Sequence, residues 1–263
     1  MKFNIKVRPL IGSILGDIAG SRFEWGLPKE LDSKTVELFG ENCHFTDDTI
    51  LSIATKHVID SYPTMTFEKA YAEFGEKYPG AGFGGLFEEW IYTEDKKPYN
   101  SYGNGSAMRA GYIGSAYESL GEVRQIATES AICTHNHPEG VKGAVATAES
   151  VWMATHSYTK DQIRDYIIRE FGYDLSKTLN EIRPTSQFEI SCQGTMPQAL
   201  LCFLESVDYE SCIRNVFSIQ CDVDTVACIA GGIAAAFYGK TGFDNEELLK
   251  TYLDDFLLGI VQS

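Results

Sequence analysis

Two stripes of small residues at helical spacing constrain this chain more than any other feature. Gly12, Gly16 and Gly20 recur every four residues, as do Ala227, Gly231, Ala235 and Gly239. A four-residue repeat lines up on one face of a helix. Glycine inside a helix costs about 1 kcal/mol relative to alanine, so a stripe of it points to close approach of another backbone. The two helices are therefore expected at the centre of the fold. Packing accounts for the small residues. It does not account for Asp17, an acidic residue within the first stripe.

Helical periodicity dominates the rest. It predicts helices over about 9–20, 47–61, 66–77, 83–92, 105–118, 121–133, 138–156, 160–170, 196–206, 209–219, 224–239 and 245–258. Strand-like alternation is scarce. The breakers fall in the connections, at Gly26-Leu27-Pro28, Tyr78-Pro79-Gly80, Lys97-Pro98, Arg183-Pro184 and Gly194. There is no internal repeat and no low-complexity linker. A chain of 263 residues has ample length for one large core. The expectation is an all-α single domain over residues 1–263.

The formal net charge of -15 disfavours long-range attraction to nucleic acid or anionic membrane. A small anion can still be held locally. The seven cysteines form no CxxC pair, which predicts reduced thiols and a cytoplasmic protein. Lys2, Lys6 and Arg8 precede Leu10–Leu15 in the manner of a signal peptide, but Asp17 follows too closely. The longest apolar stretch, Val226–Tyr238, is too short and too rich in Gly and Ala to span a bilayer.

Two acidic clusters each open an apolar helical run. Thr46-Asp47-Asp48-Thr49 precedes Ile50 and Leu51, and Asp222-Val223-Asp224-Thr225 precedes the second stripe. Helix capping explains one Thr or Asp in each. It leaves a second carboxylate and hydroxyl over. Oxygen-rich sets of this kind suit hard divalent cations such as Mg²⁺ or Mn²⁺. Brought together, four carboxylates would repel one another unless cations bridged them. The pair therefore predicts a two-metal site.

Three further segments carry polar chemistry. Ser101-Tyr102-Gly103-Asn104-Gly105-Ser106 is a Gly-rich loop before a helical run, which offers backbone N–H groups to an anion. A plain turn is the alternative; no Lys follows to make a Walker A loop. Thr134-His135-Asn136-His137-Pro138-Glu139-Gly140 lies between two helices. It presents a histidine suited to hydrogen-bonding a phosphate or hydroxyl, or to capping. Glu24 follows the first helix, where it can act as a general acid/base or a shared ligand, or pair with Arg22 or Lys29. Cys133 near His135 is no more than adjacent in sequence.

In order along the chain, these segments resemble the ADP-ribosylglycohydrolase family, which includes the enzyme that reactivates dinitrogenase reductase. The matching residues are Gly16-Asp17…Gly20…Glu24, Phe45-Thr46-Asp47-Asp48-Thr49, Tyr102-Gly103-Asn104-Gly105-Ser106-Ala107-Met108-Arg109, Thr134-His135…His137-Pro138-Glu139-Gly140, and Asp222-Val223-Asp224-Thr225 with Ile229-Ala230-Gly231 and Tyr238-Gly239. Ser191-Cys192-Gln193-Gly194 with Pro197-Gln198-Ala199 fits a bacterial branch. The resemblance is strongest over residues 10–240.

The resemblance implies an orthogonal helical bundle with two Mg²⁺ or Mn²⁺ ions in a central cleft. It implies Thr46, Asp47, Asp48, Asp222, Asp224 and Thr225 as metal ligands. Ser101, Gly103, Asn104, Gly105 and His135 would bind substrate, and Glu24, Asp47 and Asp224 would serve catalysis. The expected partner is ADP-ribose or an ADP-ribosylated substrate. The expected reaction is hydrolysis of the glycosidic bond to an acceptor: a protein side chain, a nucleic-acid base or a small molecule. The family usually has two glycines before the second acidic cluster; Gln220 and Cys221 stand there instead. If those positions need positive φ or close approach, the larger residues are strained. An ADP-ribose-binding protein without turnover is the alternative, and a phosphate-ester metallohydrolase a third.

Overall fold

The computed structural model describes residues 5–263. Its helices are α1 Arg8–Gly20, α2 Asp47–Asp60, α3 Phe67–Lys77, α4 Gly85–Tyr92, α5 Gly105–Met108, α6 Ile113–Ala116, α7 Leu120–Ile132, α8 Pro138–Thr155, α9 Lys160–Phe171, α10 Leu179–Ile182, α11 Cys192–Leu204, α12 Tyr209–Val216, α13 Val223–Tyr238, α14 Asn245–Tyr252 and α15 Asp255–Gln262. Short 3₁₀ turns, Ile5–Val7 and Ser21–Phe23, flank α1. Among the described residues there is no strand, only a bridge between Gly103 and Ser191. The all-α class follows the sequence reading.

The two striped helices pack against each other more extensively than any other pair. A Cβ on Gly12 would lie 2.4 Å from the Gly231 carbonyl oxygen, and one on Gly16 only 2.1 Å from that of Ala227. One on Gly20 would lie 2.6 Å from the Asp224 Cα. These partners run backwards along α13 as α1 advances, so the helices are antiparallel. The C-terminal end of α1 therefore meets the N-terminal end of α13. Tyr209 on α12 closes over the crossing, its hydroxyl donating to the Gly12 carbonyl at 2.8 Å.

Several boundaries differ from the periodicity, each for a local reason. The expected helix 105–118 is two four-residue pieces. Between them, N–H groups such as those of Ala110 and Ile113 bond three residues back, the tighter 3₁₀ pattern. Gly114 presses on α8 there, its absent Cβ 2.2 Å from the Ala148 carbonyl. The expected helix 245–258 breaks at extended Leu253, after which Asp254 caps α15 by accepting from Leu257 N at 2.9 Å. Helix α11 starts at Cys192, earlier than expected, with Ser191 as its N-cap. Gly194, a breaker in the sequence, lies in its first turn, where a Cβ would strike Glu189. Helix α10 is too short to show a period.

Candidate metal and substrate cleft

The antiparallel crossing of α1 and α13 places Asp17 beside Asp224, and Asp17 in turn anchors α2. Its Oδ2 accepts from Thr46 N at 2.9 Å and Thr49 N at 3.1 Å, and its Oδ1 from the Thr46 hydroxyl at 2.8 Å. Thr46 is the N-cap of α2 and accepts from Asp48 N. A carboxylate of α1 thus satisfies orphan donors of α2. The result is a triad: Asp17, Asp48 and Asp224, all buried, present oxygens within 4.8 Å of one another.

The two acidic clusters are capped differently. At the first, Thr46 and Asp17 do the capping. At the second, Asp222 occupies the N-cap of α13 without any side-chain cap bond. Its Oδ2 instead accepts from Asn104 Nδ2 at 2.8 Å. Thr225 donates through its hydroxyl to Asp48 Oδ2 at 3.1 Å, joining the two clusters. Asp48 Oδ1 is buried and has no hydrogen-bond partner.

Electrostatics in this knot are one-sided. Burial pushes Asp48 and Asp224 well above the usual carboxylate range, and the neighbouring aspartates add to it. Burial and the charges of Asp17, Glu24 and Asp222 do the same to Asp47. Glu24 is half-buried and raised by burial first, then by Asp222 and Asp17. The Arg22 guanidinium donates to the Glu37 carbonyl. Buried carboxylates with an unpartnered oxygen form the donor set of a hard divalent cation. The residues present fit such an ion.

One cavity of about 410 Å³ collects nearly all the residues expected from sequence. Glu24, Asp47, Asp48, Asp222, Asp224, Thr225, Ser101, Gly103, Asn104, Gly105 and His135 all line it. Thr46 is not among the lining residues; its hydroxyl donates to Asp17 and keeps acceptor capacity on its oxygen beside Asp48. Asn104 bridges the acidic end and the Gly-rich loop. Its Nδ2 also reaches Thr195 Oγ1, and its backbone N–H donates to Ile190 O. Helix α5 has only four residues, and of the loop's N–H groups those of Gly103 and Asn104 already donate to Ser101 Oγ and the Ile190 carbonyl.

His135 sits against this loop, its Nε2 3.4 Å from where a Gly105 Cβ would be and 3.6 Å from a Gly103 Cβ. Its protonation is set from behind. Arg109 Nη2 donates to Thr134 Oγ1 at 2.8 Å, and that hydroxyl lies 2.8 Å from His135 Nδ1. With the guanidinium on one lone pair, that hydroxyl still has a hydrogen to give to Nδ1, an arrangement that leaves the N–H on Nε2, toward the cavity. Burial, with the Arg109 charge, holds His135 well below the ordinary imidazole range, so it is a neutral donor.

Arg109 itself lines the cavity and is fully buried. Its guanidinium lies 4.0 Å from the Tyr71 ring centroid, and its Nε and Nη1 have no hydrogen-bond partner. Sequence reading assigned no role to Arg109, Thr134 or Trp25. A lone arginine in the small, apolar run Ser106–Gly114 was the signal for the first. Asp17 carried a signal as well, an acidic residue in a glycine-striped helix. Neither Gln220 nor Cys221 takes the positive φ that a glycine there would allow: the described non-glycine residues with positive φ are Asn42, Asn100 and Ser157.

All seven cysteines are free thiols. Among the described residues no helix is long and apolar enough to cross a membrane.

Comparison with known proteins gives a consistent picture. A family model for ADP-ribosylglycohydrolase matches residues 7–259. The ADP-ribosylhydrolase ARH3 of Homo sapiens is 24% identical, over 88% of this chain and 84% of that protein. The Danio rerio ARH3 is 26% identical, over 88% and 81%. A solved ADP-ribosylglycohydrolase-related protein complex superposes with a TM-score of 0.75 at 18% identity, covering 98% of this chain and 95% of that one; it shares the fold.

Proposed function

Because the chain belongs to the ADP-ribosylglycohydrolase family, hydrolases of glycosidic bonds, we propose that it cleaves the bond between ADP-ribose and an acceptor, with divalent cations in the acidic knot. The observation that carries this reading is the composition of one cavity. Its acidic residues surround the unpartnered Asp48 Oδ1, and its Gly-rich loop, His135 and Arg109 supply donors. An ADP-ribose needs both: an anchor for ribose hydroxyls and a cradle for a diphosphate.

Asp47, Asp48, Asp222 and Asp224, with the hydroxyls of Thr46 and Thr225, would hold Mg²⁺ or Mn²⁺. Asp17 braces Thr46 and Thr49, which flank Asp47 and Asp48. When bound, such cations polarise and orient ribose hydroxyls and neutralise the carboxylates. The chain's own groups do the rest. The 101–105 loop and the neutral Nε2–H of His135 donate to the diphosphate. Arg109 favours that tautomer and brings a positive charge to the same cavity. Glu24, raised in proton affinity and set at the carboxylate cluster, removes a proton from the attacking water. The water oxygen bonds to the anomeric carbon as the bond to the acceptor breaks. The proton that Glu24 has taken from the water passes to the leaving acceptor, and ADP-ribose is free.

A panel of ADP-ribosylated acceptors, assayed with Mg²⁺, Mn²⁺ or EDTA, tests this. The expected result is release of intact ADP-ribose that EDTA stops and added cation restores. Asp47→Ala and Asp224→Ala should each lose at least about 100-fold, the scale of removing a principal transition-state interaction. Full activity in both variants would remove the site assignment. Release of AMP or phosphate would make the protein a phosphate-ester hydrolase instead.

A further inference from the structure

Gln220 stands two residues before Asp222 and touches two loops that are remote in sequence. Its side-chain amide pairs with the backbone of Leu27 in both directions. Leu27 N donates to Gln220 Oε1 at 3.2 Å, and Gln220 Nε2 donates to the Leu27 carbonyl at 3.2 Å. Its own backbone N–H donates to Ser186 Oγ at 3.0 Å. The first loop carries Glu24 and Trp25, the second Phe188 and Ile190, and all four line the cavity.

The loops also meet directly. The rings of Trp25 and Phe188 stack with centroids 6.0 Å apart and planes 27° apart. Trp25 is 82% exposed, so burial in the core does not hold it there. Gly26, at φ +124°, makes the turn that presents Leu27 to Gln220, a conformation side chains rarely adopt. The segment between Glu24 and Thr46 contains no helix of its own. The loop's own hydrogen bonds are local, Glu24 N to the Ser21 carbonyl and Gly26 N to the Phe23 carbonyl, and Phe23 packs on Phe217; the Gln220 amide adds a tie to remote sequence.

We propose that Gln220 is a positioning residue: it ties the 24–27 and 186–190 loops into one arch on the rim of the cavity and so holds Glu24 at the carboxylate cluster. The cluster's second half and the arch are thereby set by one short segment, Gln220–Asp222. The inference rests on the reading of Glu24 as a working group of this cleft, but the arch itself does not require any activity.

The test compares the full chain with Gln220→Met, which keeps the length of the side chain and loses both amide bonds, and with Gln220→Ala. Hydrogen–deuterium exchange is followed on peptides covering residues 23–31 and 185–191, with α1 and α13 as the internal check of folding. The bond from Gln220 N to Ser186 survives both substitutions, so the 23–31 peptide should exchange about tenfold faster through loss of the Leu27 bonds, and 185–191 should follow through loss of the Trp25–Phe188 stack, while the central helices stay protected. With an acceptor that the parent protein hydrolyses, kcat should fall several-fold with KM little changed. Unchanged exchange in both peptides overturns the proposal. Faster exchange in 23–31 alone overturns the arch. Faster exchange in both with kcat unchanged overturns the positioning of Glu24. A parent protein inert on every ADP-ribosylated acceptor removes the hydrolase reading alone, and the exchange rates still decide the arch.

Discussion

At the scale of single residues, the cleft depends on Thr134, which does not line the cavity but links two residues that do. In the Arg109–Thr134–His135 chain both contacts are 2.8 Å, Arg109 Nη2 also donates to the Ser130 carbonyl at 2.9 Å, and the arrangement favours the hydrogen on Nε2. Thr134→Val keeps the shape and removes the hydroxyl. His135 then loses its preferred tautomer, and Arg109 loses an acceptor in a buried place. The expected outcome is a folded protein with about tenfold weaker ADP-ribose binding, measured by calorimetry. Histidine ¹⁵N spectra should show a single Nε2–H tautomer in the parent and a mixture in the variant. An unchanged tautomer in the variant would show that the relay does not set it. Sequence alone made His135 a candidate; it had no means of showing which nitrogen carries the hydrogen, because Arg109 and Thr134 meet only after α5 and α7 pack.

At the scale of helices, the decisive contact is the antiparallel crossing of α1 and α13. It sets the register that brings Asp17 to Asp224. Gly16→Ala would place a methyl 2.1 Å from the Ala227 carbonyl, where only backbone can yield. A cost of about 3 kcal/mol or more is expected in urea unfolding, with loss of cation binding as the helix ends separate. Gly259, in α15, is exposed and has nothing within 4 Å of its missing Cβ. Gly259→Ala should stabilise by about 1 kcal/mol in the same experiment, through helix propensity alone. Equal effects of the two substitutions would mean that the stripe is not a packing device. The four-residue spacing was legible in sequence. The break at Leu253 and the two pieces α5 and α6 were not, because a cap and the pressure of α8 outweigh local periodicity there.

At the scale of the whole molecule, a chain of net charge -15 folds with several carboxylates forced together at its centre. Asp47, Asp48 and Asp224 are held above the ordinary value of 3.8, so over that window the folded state binds more protons than the unfolded one. Stability from these groups is full below 3.8 and is lost as pH rises through their raised values. His135, held low, acts with the opposite sign: its contribution is present above the ordinary 6.5 and fades as pH falls. The carboxylates outnumber it. Without cations the melting temperature should therefore fall as pH rises above the ordinary carboxylate value of 3.8. Mg²⁺ or Mn²⁺ at 100 times Kd should restore about 2.7 kcal/mol, or roughly 5 °C or more, with the larger gain at pH 8. Asp48→Asn should flatten the pH dependence and abolish most of the cation shift. A cation shift of the same size in Asp48→Asn would place the ion elsewhere.

Sequence by itself determined the helical class, the central pair of helices and about half of the residues that line the cleft. Those features are local: a period of four, a carboxylate pair at a helix start, a glycine-rich turn. Only the tertiary structure decided how they act together. Asp17 became the brace of α2, Asn104 became the partner of Asp222, and Gln220 became the clamp of Leu27 rather than a strained stand-in for glycine. Each of these bonds joins residues at least 29 positions apart. No local pattern encodes them, because their partners are chosen by which helix ends the close crossing of α1 and α13 brings together.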